Sequence, residues 1–530
     1  MIRFAPLAIA LVAGAFFLST GLSALDKPGL HYDETAFVNA ALGADHPDQH
    51  FVHARFHGVV TKIFPYIGAL KSWIFAPVFS VFGVSPESMR APAVLLGLLA
   101  VALAVLLAWR VLGPWPAALL AVVLGTDPTF VTMSKADWGP IVLSALLRVG
   151  ALVAYFALLR TRHLRYAWLL AAALLIGLFN KVDFAWFMAA LGAAALLIHG
   201  RELFALVRAR PLAAALPVVA FLAVLGFLTV ESVLPARELP LETTRDTLEE
   251  RLEHRWDLYH GTYSGRSVYG FMTARELDPL IPAPAIYVGA ALAGLIAFGG
   301  ALLSRLPRDE GRLAGFLLVQ LLVIGVFLVA TRQVGGSHHL IQLWPLPQLL
   351  LVTVVAVALR LRPRALRAGV AGAALAVVLW MAAVQVVASR EYVDALADGD
   401  SFGTVWTPEI YDVADRAGEL APTLDGVVAA DWGIGPQVFA LNGDAVRERF
   451  RDLPPDFADG AHGTEGQVAA NHFDGRRVMV MFHQEETEVF KGSSLGVRKV
   501  IGALGPEARV REVYAGKVLR AYVVDDRPGP

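Results

Sequence analysis

The chain has 530 residues, 56% hydrophobic and only 17% charged, with a mean hydropathy of +0.57, well outside the range of ordinary soluble proteins. Its formal net charge is −1, so no global basic field points to nucleic acid. With no cysteine it has no disulfides, thiolate metal sites or cysteine nucleophiles. What remains is a polytopic α-helical membrane protein.

The first apolar run, 2–25, opens with Arg3 as a signal peptide does. It is about span length, however, and ends in "LSALD" without a clear A-x-A pattern, so it reads as a retained first helix. Further apolar segments lie at 91–110, 115–133, 141–159, 166–179, 184–198, 212–232, 284–303, 313–331, 343–359 and 368–388. The pair flanking "NKVD" (180–183) is short against the ~20 residues a crossing helix needs, yet parity supports it. The Arg-rich loops 160–165 and 201–210 share a face only if two spans separate them. "SRLPRDEGR" (304–312) and "RLRPRALR" (360–367) complete a basic set that the positive-inside rule assigns to the cytoplasm. The loops of opposite parity are 26–90, 127–140, 180–183, 233–283 and 332–342, joined by the tail. The expected plan is eleven spans within 1–388, large outer loops at 26–90 and 233–283, a cytoplasmic N-terminus and a soluble extracytoplasmic domain at 389–530.

Within the first long loop, "FPYIGALKSWIFAPVFSVFG" suits helices lying in the interface, with Tyr66 and Trp73 at headgroup level. "LETTRDTLEERLEHRWDL" (241–258) pairs acids with bases at helical spacing and predicts a charged helix. In the tail, "GVVAADWG" (426–433), "RRVMVMF" (476–482) and "VLRAYVVDD" (518–526) predict strands, and "TPEIYDVADRAGEL" (407–420) an amphipathic helix. Together they describe a small α/β domain.

Polar residues near the bilayer are the candidates for chemistry. His31, Asp33 and Glu34 follow the first span; they fit a site, and equally a helix cap with first-turn acids. "TDPTFVTMSKADWGP" (126–140) holds Asp127, Lys135 and Asp137 between two prolines. "NKVD" places Asn180, Lys181 and Asp183 in a tight turn, where a local Lys–Asp pair is the plain alternative. "RQVGGSHHLIQLWP" brings Arg332, His338 and His339 to the start of a span, for phosphate or metal contact or for interfacial hydrogen bonding. Arg148 stands inside an apolar span, about three turns beyond Asp137, where ion pairing and substrate contact are both open. "HFVHARFH" spaces His50, His53 and His57 for one helical face, a spacing compatible with a metal, although no fixed metal motif occurs.

Taken together, these features resemble the GT-C superfamily of membrane glycosyltransferases, in its protein O-mannosyltransferase and aminoarabinose-transferase-like branch. "HYDETAF" is similar to the first-loop D-E motif and "DPTFVTMSKADWG" to the second-loop pattern. "KIFPYIGALKSWIFAPVFSVFGVSPESMRAPA" (62–93) resembles the Lys-Pro segment leading into the second span, and "GLFNKVDF" and "SHHLIQLWPLP" have counterparts of the same shape. The likeness covers about residues 1–350. It implies transfer of a sugar, with inversion, from a polyprenyl-phosphate-linked donor to a lipid, protein or polysaccharide acceptor. The implied catalytic residues are Asp33, Glu34 and Asp137: Asp33 as general base, Asp137 shaping the site, with a helix-start role still open for Glu34. Lys62, with Lys181, Arg266, His338 and His339, would hold the donor phosphate. Some relatives bind a divalent metal through a Glu before the first-loop Lys; here that position is Thr61, so a metal is not assigned, although His260 and His339 remain as potential later ligands. The competing readings are a transporter or lipid flippase, with Arg148 lining a pathway, and a membrane scaffold that displays the tail.

Overall fold

A computed structural model describes residues 4–42, 54–230, 234, 247–277, 281–303, 305–331, 335–361, 364–399 and 402–527. Helix α1 (Ala5–Gly21) leads through a strap, residues 22–31, into the short helix α2 (Tyr32–Ala41). A three-stranded antiparallel ribbon follows, β1 (Ala54–Phe56), β2 (Val59–Phe64) and β3 (Ile67–Gly68). "GVVTKIFP" is a β-branched run closed by Gly58 and Pro65. Of the stretch expected to form interfacial helices, 64–83, the first residues complete the ribbon and the rest forms helix α3 (Leu70–Phe82).

The apolar helices then come in close succession: α4 (Pro86–Val111), α5 (Pro114–Gly125), α6 (Pro128–Ala136), α7 (Ile141–Thr161), α8 (Arg165–Asn180), α9 (Phe184–Ala209) and α10 (Pro211–Leu228). The expected span 115–133 is in fact the bent pair α5–α6, which turns by 58°. The cause is local: Pro128 has no N–H to continue the ladder, and the Asp127 side chain caps the new helix through Thr129 N–H (3.0 Å) and Phe130 N–H (3.2 Å). The expected loop 201–210 is a second correction, because α9 continues through it after a kink at His199.

Two helices, α11 (Leu248–Tyr263) and α12 (Arg266–Thr273), occupy the second long loop; the start of the expected charged helix, 241–246, lies outside the described residues. Then come α13 (Ala283–Leu302), α14 (Arg308–Ala330), and a span that begins as the short helix α15 (Ser337–Leu340) and continues as α16 (Leu346–Ala358). That composite span is 94% buried and so is the centre of the bundle, with His338 and His339 at its mouth. Helix α17 (Arg364–Asp398) runs unbroken past residue 389, so the expected domain boundary falls inside a helix. Among the described residues eight helices are long and apolar enough to cross a membrane, or nine with the bent pair as one span; the shorter α1 and α8 would complete the eleven expected.

Beyond α17, helix α18 (Glu409–Leu420) precedes a five-stranded sheet of order β5-β4-β6-β8-β7. Strands β4 (Gly426–Ala429), β5 (Phe450–Asp452) and β6 (Arg477–His483) are parallel, while β7 (Arg509–Ala515) and β8 (Leu519–Asp525) run antiparallel. Helix α19 (Gly435–Asn442) connects β4 to β5.

What holds the Asp33 segment is buried charge. Arg90, 1% exposed in α4, donates through Nε and Nη2 to the two carboxylate oxygens of Glu34, each at 2.9 Å. Its remaining donors reach Leu25 O and Pro28 O (both 2.8 Å) and Gly29 O (3.0 Å). Lys135 on α6 holds Ser23 O (2.8 Å) and Ala24 O (2.6 Å). Two cations thereby satisfy five strap carbonyls that would otherwise be orphaned. Gly29 has to be glycine, since a Cβ there would lie 2.0 Å from Thr407 O.

Replacing Arg90 with Met leaves Glu34 buried and unpaired, and the expected loss on unfolding the full-length protein is about 3–5 kcal/mol. The double variant Glu34→Leu, Arg90→Met should lose less, because no lone charge stays inside. Equal losses in the two would contradict the pairing argument.

Candidate active site

The first turn of α2 sorts its two acids. His31 is the N-cap: its Nδ1 accepts from Asp33 N–H (3.2 Å), while Glu34 Oε1 accepts from His31 N–H (3.0 Å), a reciprocal capping box. The imidazole is stacked on Trp406 with centroids 4.5 Å apart. Burial pushes the His31 pKa below its usual 6.5, against the opposing pull of Asp33 and Glu34 and with help from Arg90. A neutral ring leaves Nδ1 free to accept. Glu34 is wholly engaged by Arg90 and the cap. Asp33, one residue earlier, is half-buried, and its carboxylate has no hydrogen bond or ion pair among the described residues.

Asp137 ends α6 in the left-handed region (φ 39°), which turns its side chain back over the start of α7. Its Oδ1 accepts from Val142 N–H (3.0 Å), and its Oδ2 lies 2.9 Å from Lys71 Nζ, which also donates to Asp137 O at 2.9 Å. Burial raises the Asp137 pKa and Lys71 offsets part of that rise. Asp137 and Glu34 line one small pocket with Lys71, Phe37 and Met89. Lys71 is a residue that sequence reasoning missed; its signal was a single cation inside an apolar run, "GALKSWIF".

The "NKVD" turn docks on the ribbon. Lys181 bridges Ile67, and Val182 N–H donates to Tyr66 O at 3.0 Å. Lys181 Nζ lies 3.1 Å from Asp183 Oδ2, so the local pair forms; His339 Nδ1 stands 3.8 Å from the same oxygen. Burial alone would raise the Asp183 pKa, but Lys181 and His339 outweigh it and hold it below the usual carboxylate range. His338 lies against His339 with centroids 4.1 Å apart and the rings tilted by 42°, within electrostatic reach of Lys181. Lys181, Asp183, His338 and His339 therefore form one cluster, and Tyr66 lies within electrostatic reach of both its Asp183 and Asp33.

Other candidates lie differently. Lys62 pairs with Gly68 across β2–β3, next to the Ile67–Lys181 bridge. Arg266 starts α12, exposed, and no hydrogen bond or ion pair joins it to the cluster among the described residues. Arg148 donates to Ile341 O at 3.3 Å, tying α7 to the turn after His339. His57 sits in the β1–β2 turn at φ 47° and so is not on a helix; His50 and His53, like Arg332, lie outside the described residues. Among the described residues no group of three or more His, Asp or Glu side chains is placed to hold a metal ion.

This arrangement is a bundle of apolar helices with acids and cations gathered under loop helices and a small α/β domain. No family model and no curated protein matches the sequence. Solved structures match along almost its whole length. The apo structure of ArnT from Cupriavidus metallidurans has a TM-score of 0.56 at 15% identity, covering 98% of this chain and 97% of that one. The same ArnT bound to undecaprenyl phosphate matches with a TM-score of 0.53 at 14% identity and the same coverage. The chain is an integral membrane protein with an ArnT-like fold.

The cap gives a pH test. Because the folded-state pKa of His31 lies below its unfolded value of about 6.5, this group leaves stability unchanged above that pH and reduces it as pH falls below. His31→Asn keeps a capping acceptor without the titration. Melting temperatures of the two proteins from about pH 5 to 8 should diverge only on the acid side. Parallel curves would count against a neutral buried His31.

Proposed function

We propose that the protein transfers a sugar from a polyprenyl-phosphate-linked donor to an acceptor hydroxyl, with inversion, on the extracytoplasmic face of the inner or plasma membrane. The observation that carries this reading is the state of the acids. Glu34, Asp137 and Asp183 all have cationic partners, and Asp33 has none among the described residues. A carboxylate left open, acting on the same Tyr66 as the Asp183 of the Lys181–His339 cluster, suits a general base near an anion site.

In the proposed step Asp33 takes the acceptor's proton as its oxygen attacks the anomeric carbon. The bond to the lipid phosphate breaks and the phosphate leaves with the electron pair. A single displacement inverts the centre, and carboxylates near the developing oxocarbenium stabilise it. Lys181, Lys62, His338 and His339 are proposed to compensate the departing phosphate. Arg266, exposed at the start of α12, would join them only after a rearrangement of that loop. Asp137 and Glu34 act as positioning residues, holding α7 and the strap.

A divalent metal at the first-loop Lys does not fit the residues present. Thr61 stands before Lys62 and its hydroxyl donates to Ala54 O (3.2 Å), so no step is routed through a metal. The transporter or flippase reading relied on Arg148, whose guanidinium instead binds Ile341 O. Arg160, Arg208 and Arg360 stand at the ends of α7, α9 and α16 opposite to Asp137, Asp183 and His339, which supports a cytoplasmic place for them.

Asp33→Asn should lower transfer by at least about 10²-fold while leaving binding of undecaprenyl phosphate intact. Mass spectrometry of envelope lipids and glycans from cells with either form, with a binding assay on the purified chain, reads both quantities. Undiminished product from the Asn variant would remove Asp33 from the chemistry.

A further inference from the structure

Helix α2 docks on the carboxyl edge of the parallel strands in the C-terminal sheet. Strand β4 lies between β5 and β6; the chain leaves β4 toward β5 and leaves β6 toward β8 and β7, so the crevice beyond the ends of β4 and β6 is a topological switch point, where open α/β sheets bind ligands. Three residues mark that edge: Asp431 just after β4, Asp452 at the end of β5 and His483 at the end of β6. Asp431 is locked, accepting from Trp432 N–H (2.7 Å), Val489 N–H (3.0 Å) and Phe490 N–H (2.9 Å), with His483 Nδ1 2.9 Å away. That lock fixes the loop bearing Trp432, whose ring stacks on Tyr32 at 4.7 Å, one residue from Asp33.

Asp452 is different. It is 7% exposed, and its Oδ1 is buried with no hydrogen-bond partner. Gly435, at the start of α19, leaves room beside it; a Cβ there would stand 2.5 Å from that oxygen. Asn39 Oδ1 and Gln437 Oε1, which meet at the same helix start, also lack partners, although their amides bind Pro436 O (3.1 Å) and Leu30 O (3.2 Å). Orphaned buried acceptors demand donors. Burial pushes the Asp452 carboxyl up to about 7, and after burial Asp452 and then Asp33 are the largest influences raising the Tyr32 phenol. A carboxyl poised near neutrality can donate to or accept from a hydroxyl, whereas an anion would face both Asp452 and Asp33.

We propose that Asp452, with the Trp432–Tyr32 stack, forms the acceptor side of the Asp33 site and binds an uncharged hydroxyl-bearing group such as a sugar ring. The C-terminal sheet thus takes part in acceptor binding. This rests on the glycosyl-transfer reading above.

The test uses full-length enzyme in proteoliposomes and, as probe, a detergent extract of membranes from cells carrying only Asp33→Asn, which retains unmodified acceptor. Product is measured against the amount of extract at fixed lipid-linked donor, and against donor at fixed extract. Asp452→Ala should need about tenfold more extract for half-maximal transfer, with donor dependence within about twofold of wild type. Asp452→Asn, which keeps both a donor and an acceptor, should shift the extract dependence by about threefold or less. Unchanged extract dependence in the Ala variant, or an equal shift in donor dependence, overturns the proposal. Melting that falls by more than about 5 °C in both variants also overturns it, by showing Asp452 to be a structural partner. If wild type makes no product, the glycosyl-transfer reading fails and takes this one with it. If wild type works, Asp33→Asn does not, and Asp452→Ala titrates like wild type, only the acceptor assignment fails.

Discussion

Arg90 uses all five of its guanidinium donors inside the protein: two on Glu34 and three on the carbonyls of Leu25, Pro28 and Gly29. A buried arginine is tolerated only with such complete pairing, because an unpaired charge there costs several kcal/mol. The pairing fixes the path of the chain from the first helix to α2, and hence where Asp33 stands. It also presents Gly29 N–H to Trp406 O at 2.7 Å and His31 to the Trp406 ring, which binds the strap to the segment entering the C-terminal domain. Membrane helices, strap and soluble sheet are one structure because this fork holds their junction.

The same rule, that buried charges must be answered, sorts the acids. Lys71 answers Asp137, Lys181 and His339 answer Asp183, and Arg90 answers Glu34. These pairs build a rim from six separate stretches of chain. The proposed reactivity falls to groups left over: among the described residues Asp33 on the helix side and Asp452 on the sheet side are such carboxyl groups, and the Tyr32–Trp432 stack joins the two elements that carry them.

Much of this was legible in the sequence. Apolar runs marked the positions of the helices, since about 20 apolar positions in a row leave few other solutions, but not the ends of α9 and α17, whose polar last turns carry no apolar signal. Alternating Val, Met and Tyr marked β4, β6 and β8. Asp33 and the "NKVD" turn stood out as polar residues beside spans. What was hidden is long-range: Arg90 pairs with a residue 56 positions away, Lys71 with one 66 away, and α2 docks on residues about 400 further on. No local spacing encodes such partners. The ribbon β1–β3 was not foreseen, because its strands are short and only the β-branched run at Val59–Ile63 argues for one. Strands β5, three residues long, and β7, with an exposed face, carry too little pattern to be seen.

The most direct test of the central claim is a cryo-electron-microscopy structure of the full-length protein with undecaprenyl phosphate. The account predicts the phosphate on the Asp33 face, within about 4 Å of a nitrogen of Lys181, Lys62, His338 or His339, with the Asp33 carboxylate open toward the sheet edge. A phosphate bound at the Arg-rich ends of the helices, or a cation closing on Asp33 in its place, would contradict it.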